Sequence, residues 1–149
     1  MSEEMKIGIT SKISYLRFLT NSLIDMELSR RGIDDLHTSY GNIIFTLLKN
    51  GSMTMKELAN KINRDKSTLT VLIKKLSQNG YIEILVNIEE RRKKIISLTE
   101  KGRNINGDFE GISTILNNKL WSGISHEEID LFESILNKLI KNMENGVEK

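Results

Sequence analysis

With 149 residues the chain has room for one domain with a substantial core and none for two independent catalytic domains. Hydrophobic residues make up 38% and charged ones 28%, cysteine is absent, and no run of about 18 apolar residues occurs, which excludes disulfide frameworks, thiolate zinc sites, thiol redox switches and a membrane-spanning helix. The net charge of +2 conceals an asymmetry: residues 54–103 hold 12 lysines and arginines against six acids, whereas the rest of the chain carries ten bases and fourteen acids.

Ten glycines and no proline suit long helices joined by glycine turns, so the expected class is mainly α. Over residues 7–31, Ile9, Ile13, Leu16, Leu19, Leu23, Ile24 and Leu28 recur at three- and four-residue steps, which predicts one long helix stopped by Gly32. After a turn, Thr38 and Ser39 are cap candidates for a second helix carrying Ile43, Ile44, Leu47 and Leu48 and ending at Asn50-Gly51. Thr54-Met55-Lys56-Glu57 reads as a capping box opening a short third helix whose Met55, Leu58, Ala59 and Ile62 form one buried stripe.

A fourth helix is expected from Asp65 or Lys66 to Gln78, closed by Asn79-Gly80. Its inner stripe is Leu69, Leu72, Ile73 and Leu76; at about 100° per residue its opposite face carries Ser67, Thr70, Val71, Lys74, Lys75 and Gln78. Residues 81–88 are rich in β-branched types, 89–92 are charged, and 93–98 read as a returning strand, which predicts a hairpin with a basic tip. Thr99 can cap a fifth helix reaching Leu120, bent or locally weak because of Gly102, Gly107 and Gly111. Ser125-His126-Glu127-Glu128 is a second capping box, and Ile129, Phe132, Ile135, Leu136, Leu139, Ile140 and Met143 make the sixth helix strongly amphipathic.

A short helix, a tight turn, a second helix with a polar outer face and a cationic hairpin together make a winged helix-turn-helix, whose usual ligand is double-stranded DNA. A helix about 10–12 Å across fits a B-form major groove, and a basic hairpin reaches phosphates or the neighbouring minor groove. The first and the last two helices carry more apolar surface than one small lobe can cover, so they are expected to bury it against one another or a partner chain. The polar start of the sequence has no apolar signal region, so a cytoplasmic location is expected.

Met55-Lys56-Glu57-Leu58-Ala59-Asn60-Lys61-Ile62, Asp65-Lys66-Ser67-Thr68-Leu69-Thr70 and Leu76-Ser77-Gln78-Asn79-Gly80-Tyr81-Ile82 resemble the helix-turn-helix of the MarR-type transcription regulators. Glu90-Arg91-Arg92 leading into Ile96-Ser97-Leu98-Thr99-Glu100-Lys101-Gly102-Arg103 is similar to that family's wing and following helix, and Gly123-Ile124-Ser125 resembles the entry to its last helix. The resemblance implies an α+β winged fold of six helices and a hairpin wing, assembled as an intertwined homodimer. Residues 37–103 would form the DNA-binding lobe and 1–36 with 104–149 the helical dimerisation region. Two-fold symmetry then implies a pseudo-palindromic operator with half-site centres about 10 bp apart, and a repressor acting by occupying promoter DNA.

Two departures bear on the contacts. Where the family commonly has an arginine this chain has Val71, which suits a thymine methyl. At the wing the family's Asp-x-Arg becomes Glu90-Arg91-Arg92, which places Arg92 in the minor groove with Glu90 steadying it, and Arg91, Lys93 and Lys94 nearer phosphates. Lys66, Lys74 and Lys75 would supply sequence-independent attraction while Ser67, Thr68, Thr70 and Val71 read base edges. Family members often bind small aromatic acids between dimer helices and lobe, and Tyr15, Arg17, His37 and Tyr40 stand in segments able to line such a cleft for an aromatic or anionic effector. His37 and His126 lack the companions a zinc site needs, no cofactor is expected, and no nucleophilic triad, phosphate loop or carboxylate pair suggests an enzyme. The competing reading is a winged-helix module that docks protein and has no specific DNA target.

Overall fold

The computed structural model describes residues 3–90 and 92–147. Its elements in chain order are α1 (Glu3–Arg30), α2 (Thr38–Asn50), β1 (Met53–Thr54), α3 (Met55–Ile62), α4 (Lys66–Gln78), β2 (Ile82–Val86), β3 (Lys94–Leu98), α5 (Glu100–Asn104), α6 (Asn106–Leu120) and α7 (His126–Gly146). The chain forms two compact units, Met1–Ser113 and Thr114–Lys149. The fold class is the expected one, mainly helical with a small antiparallel sheet, and the expected fifth helix runs as α5 and α6 with a one-residue interruption.

In the first unit the core gathers Leu28 from α1, Leu36 from the following loop, Ile43, Ile44 and Leu47 from α2, Leu58 from α3, Leu69, Ile73 and Leu76 from α4, and Ile82, Ile96 and Leu98 from the sheet. These are the predicted stripes, and each short helix is held by burying its stripe against the others rather than by its own propensity. Capping defines the ends: the Thr54 hydroxyl accepts from the Glu57 amide at 3.2 Å while the Glu57 carboxylate accepts from the Thr54 amide at 2.8 Å. Between α3 and α4, Asn63 takes the left-handed conformation at φ 51°, one of the few side chains that tolerate it, so three residues turn the chain into the next helix. Gly32 and Gly80 close α1 and α4 at φ 73° and 79°.

The sheet order is β1-β3-β2, with Met53 opposite Ile96 and the β2–β3 hairpin registered from Ile82 opposite Leu98 to Val86 opposite Lys94. The two-residue strand β1 was not anticipated: Thr54 both ends a strand and caps a helix. Gly102 packs so closely on the sheet that a Cβ there would lie 2.1 Å from the Tyr81 carbonyl oxygen, which explains a glycine inside a helix.

Two local expectations are corrected. The N-cap of α2 is His37, which makes no side-chain cap bond; Thr38 is the first helical residue, and its amide and hydroxyl both donate to Asp25 Oδ1 of α1, at 3.0 and 2.6 Å. A carboxylate from the neighbouring helix thus does the work of a local cap. The weak point between Thr99 and Leu120 falls at none of the three glycines but at Ile105, whose side chain is buried in the core.

In the second unit, Ser125 and Glu128 form the expected reciprocal box, and Trp121 meets Phe132 edge-on with ring centroids 6.2 Å apart. No residue of α7 is buried: Leu131, Phe132, Ile135, Leu139, Ile140 and Met143 are 43–67% exposed. On α1, Ile9, Ile13, Leu16, Phe18 and Leu19 are likewise exposed. Among the described residues no helix is long and apolar enough to cross a membrane.

Candidate nucleic-acid interface

The α4 helix presents two different faces because its sequence alternates them with helical period. Leu69, Ile73 and Leu76 are at most 1% exposed, while Lys66, Ser67, Thr68, Thr70, Val71, Lys74 and Lys75 all face solvent, Val71 at 68%. Asp65 caps the helix, accepting the Thr68 amide at 3.2 Å and the Ser67 hydroxyl. The Ser67 hydroxyl bond, followed by the Thr68 side chain and amide, pulls the Asp65 carboxyl down to about 2. The Thr70 hydroxyl donates to the Lys66 carbonyl at 2.7 Å. A polar, cationic face backed by a fully buried one has no packing role within the unit, so its residues are available to a ligand.

The wing lies on the same unit. The Asn87 amide donates to the Lys93 carbonyl, the Lys93 amide to the Glu90 carbonyl, and the Glu89 amide to Asn87 Oδ1, which shapes the tip. Arg92 and Lys94 are exposed as expected, and Arg91 lies outside the described residues. Glu90 Oε2 pairs with Lys93 Nζ at 2.6 Å rather than with the expected Arg92, because the tip turn brings i and i+3 together. That hydrogen bond and charge raise the Lys93 pKa, with a smaller contribution from Glu57. Glu57 in turn sits below the ordinary carboxylate value, chiefly through the Thr54 amide and hydroxyl, with Lys93 adding to it, so the first turn of α3 and the wing lie within electrostatic reach. Ile88, not singled out from the sequence, is 94% exposed at the tip.

A network missed by sequence reasoning holds the far end of α4. The Tyr81 hydroxyl donates to Asp35 Oδ1 at 2.5 Å and Lys101 Nζ to Asp35 Oδ2 at 2.9 Å, with the ammonium 4.2 Å from the Tyr81 ring centroid. Lys101 also donates to the Asn79 carbonyl, and Asn79 Nδ2 to the Asp35 carbonyl, both at 2.8 Å. Burial alone would raise the Asp35 carboxyl, but the Tyr81 and Lys101 bonds outweigh it and the net shift is downward. Burial and then Asp35 push the Tyr81 phenol up. Partners 46 and 66 residues apart leave no mark in a local pattern. Lys101, Lys93 and Arg103, whose Nη1 donates to the Leu98 carbonyl at 2.7 Å, are therefore cations of the basic window engaged within the fold.

The four candidate effector residues fall into two places. Tyr15, on α1, stacks on Phe18 with centroids 6.4 Å apart, and Arg17, two residues on from Tyr15 and so on another face of the helix, is exposed; His37 and Tyr40 meet at 6.2 Å at the start of α2. A groove of about 240 Å³ in the same unit is lined by other residues, among them Leu47, Leu48, Ser52, Ser97 and Arg103. Among the described residues, no group of three or more His, Cys, Asp or Glu is placed to hold a metal ion.

The model of the MarR family matches residues 41–94, from α2 to the first residue of β3. The HTH-type transcriptional regulator SarZ of Staphylococcus epidermidis is 31% identical over 108 residues, covering 72% of each chain. Among solved structures, a MarR protein from Peptoclostridium difficile superposes with a TM-score of 0.82 at 22% identity, covering 93% of this chain and 88% of that one. A mutant MarR from Escherichia coli complexed with operator DNA superposes with a TM-score of 0.80 at 20% identity, covering 91% and 95%. At these identities the two structures establish the fold.

Proposed function

From the premise that the chain belongs to the MarR family, we propose that it is a sequence-specific DNA-binding transcriptional regulator, a cytoplasmic repressor that occupies promoter DNA as a homodimer. The observation that carries the reading is the outer face of α4, where the seven candidate residues from Lys66 to Lys75 are all solvent-exposed while Leu69, Ile73 and Leu76 are buried on the opposite face. In this reading residues 37–103 are the DNA-binding lobe. α4 enters the major groove, Ser67, Thr68, Thr70 and Val71 meet base edges, and Lys66, Lys74, Lys75 and Lys94 meet phosphates, with Lys93 joining them by exchanging its Glu90 partner for a phosphate. Arg92, exposed at the tip, reaches the minor groove. The uncovered apolar faces of α1 and α7 are buried against a second copy, and two-fold symmetry sets half-site centres about 10 bp apart.

Support for a ligand-controlled form of this activity comes from the aromatic pair His37–Tyr40 and the exposed Tyr15 and Arg17, which suit a small aromatic or anionic effector. Such a ligand acts by favouring one spacing of the two lobes over another.

The test is a fluorescence-anisotropy titration of the purified protein with duplex DNA from upstream of its own gene and with a scrambled duplex, at two salt concentrations. A regulator making about 6–10 phosphate contacts loses affinity by roughly 10³–10⁵ between 50 and 200 mM salt while keeping a specificity ratio above roughly 10³. Absence of preference for any sequence, including after selection from a random duplex library, overturns the reading in favour of a protein-docking module.

A further inference from the structure

The hydroxyls on the outer face of α4 are not interchangeable donors and acceptors. A serine or threonine hydroxyl has one proton to give and two lone pairs with which to accept. The Ser67 proton goes to the Asp65 carboxylate, a group that stays ionised throughout the physiological range and therefore remains an acceptor. The Thr70 proton goes to the Lys66 carbonyl at 2.7 Å, the oxygen one turn back that also closes the helical ladder, the usual back-bond of a threonine within a helix. Each side chain is exposed, so what it presents outward is an oxygen whose lone pairs alone remain to be used. Val71 stands beside them at 68% exposure, offering two methyl groups and no polar atom. Residues 67, 70 and 71 occupy positions i, i+3 and i+4, one contiguous patch of helix surface.

Major-groove edges sort by this criterion. Adenine N6 and cytosine N4 carry amino donors, whereas guanine O6 and thymine O4 are keto acceptors in the corresponding place, and thymine alone adds a methyl. A lone pair set against a keto oxygen is repelled and leaves both groups without the water they had. Resting on the DNA-regulator reading above, we propose that Ser67 and Thr70 act as acceptor-only readers selecting amino bases, adenine or cytosine, over keto bases on the strand they face. Val71 sets the register by seating a thymine methyl against the same patch. The specificity of this surface is therefore an amino-against-keto code with one methyl contact, unlike the bidentate guanine recognition an arginine at position 71 would give.

The experiment starts with selection of binding sites from a random duplex library by the wild-type protein. Each adenine of the enriched half-site is then replaced by purine lacking the 6-amino group, each cytosine by its analogue lacking the 4-amino group, and each thymine by uracil. Affinities are measured for wild type, Thr70→Val and Val71→Ala, all of which keep the buried face of α4; thermal melts confirm that they fold. The expected result is one adenine, or a cytosine replaced by its analogue lacking the 4-amino group, whose modification weakens wild type but not Thr70→Val. One thymine should likewise lose about fourfold in affinity on demethylation with wild type and nothing with Val71→Ala. An enriched site with analogue sensitivities identical in wild type and both variants overturns the code while leaving the regulator reading standing. Failure to enrich any sequence overturns both.

Discussion

Leu69 and Val71 stand two residues apart on α4, and replacing each with alanine should have opposite consequences. Leu69 is wholly buried, so Leu69→Ala removes three carbons from the core, about 2.4 kcal/mol of transfer free energy at roughly 0.8 per carbon. The residual cavity on the side of α4 that packs against α3 and β2 raises the cost to about 3–4 kcal/mol. At roughly 2–4 °C per kcal/mol for a chain of this size, the midpoint falls by about 10 °C. Val71 is 68% exposed, so its methyl groups lose little on truncation, and alanine is the better helix former. The expected change for Val71→Ala is within about 0.5 kcal/mol, with the sign toward stability. Urea unfolding followed by far-ultraviolet circular dichroism and by Trp121 fluorescence, at one fixed protein concentration, measures both variants; the fixed concentration matters because the proposed association with a second copy would couple to folding. If Val71→Ala were as destabilising as Leu69→Ala, α4 would pack the opposite face and the groove assignment would fall with it.

Arg92→Ala should weaken operator binding and lower the slope of log affinity against log salt by about 1, with an unchanged melting midpoint, since the side chain is exposed at the wing; unchanged affinity in anisotropy titrations refutes its contact. The Asp65 carboxyl titrates at about 2, below its ordinary 3.8, so it contributes stability that is complete above the ordinary value and is lost as pH falls toward 2; Asp65→Asn should flatten that part of the melting-temperature profile between pH 5 and 2.5. Gly102→Ala places a Cβ 2.1 Å from the Tyr81 carbonyl oxygen, a backbone atom that cannot swing aside, so loss of cooperative folding by circular dichroism is expected, and a wild-type melt refutes the contact. Ile135→Glu on α7 puts a charge on a half-exposed apolar face, and sedimentation should show a shift from dimer to monomer; an unchanged mass removes that face from the interface.

Which features were legible in the sequence depends on how far apart their partners lie. The capping boxes at Thr54 and Ser125, the stripes of α3 and α4 and the glycine closures at Gly32 and Gly80 are set by residues within four positions, and each appears where the pattern placed it. Strand β1 exists only because Met53 finds Ile96 across the sheet, and two residues carry no period. The cap of α2 comes from Asp25, 13 residues upstream, so Thr38 and Ser39 had the right chemistry in the wrong role. The Glu90 partner turned on the geometry of the tip: both Arg92 and Lys93 satisfy the sequence, and only the turn through Glu90 and Lys93 selects the second. On α4 the exposure of each DNA-facing candidate was legible, yet which hydroxyls still have a proton to give was not, since that depends on rotamers the helix imposes.

The same long-range contacts bear on how the lobe responds to its surroundings. α1 is bonded to the start of α2 through Asp25 and Thr38, and the loop that follows α1 is bonded through Asp35 to the end of α4 and to α5. Glu27 and Leu28 of α1 are buried with the lobe's core, so the C-terminal half of α1 is part of the body that presents α4. Exposed apolar residues on α1 run from Ile9 to Leu19, with Met26 exposed beyond them. One helix therefore carries an uncovered apolar surface along one stretch and, at its other end, hydrogen-bonded connections to the body that holds α4, the helix proposed to face DNA. A displacement of α1 against a partner moves α4 as a unit, because bending the connection means breaking the Asp25 and Asp35 bonds together. Asp25→Ala combined with Asp35→Ala, which removes the carboxylates that Thr38, Tyr81 and Lys101 bond, should then broaden the range of half-site spacings bound in anisotropy titrations while each half-site alone is bound as before, and an unchanged spacing preference refutes the connection.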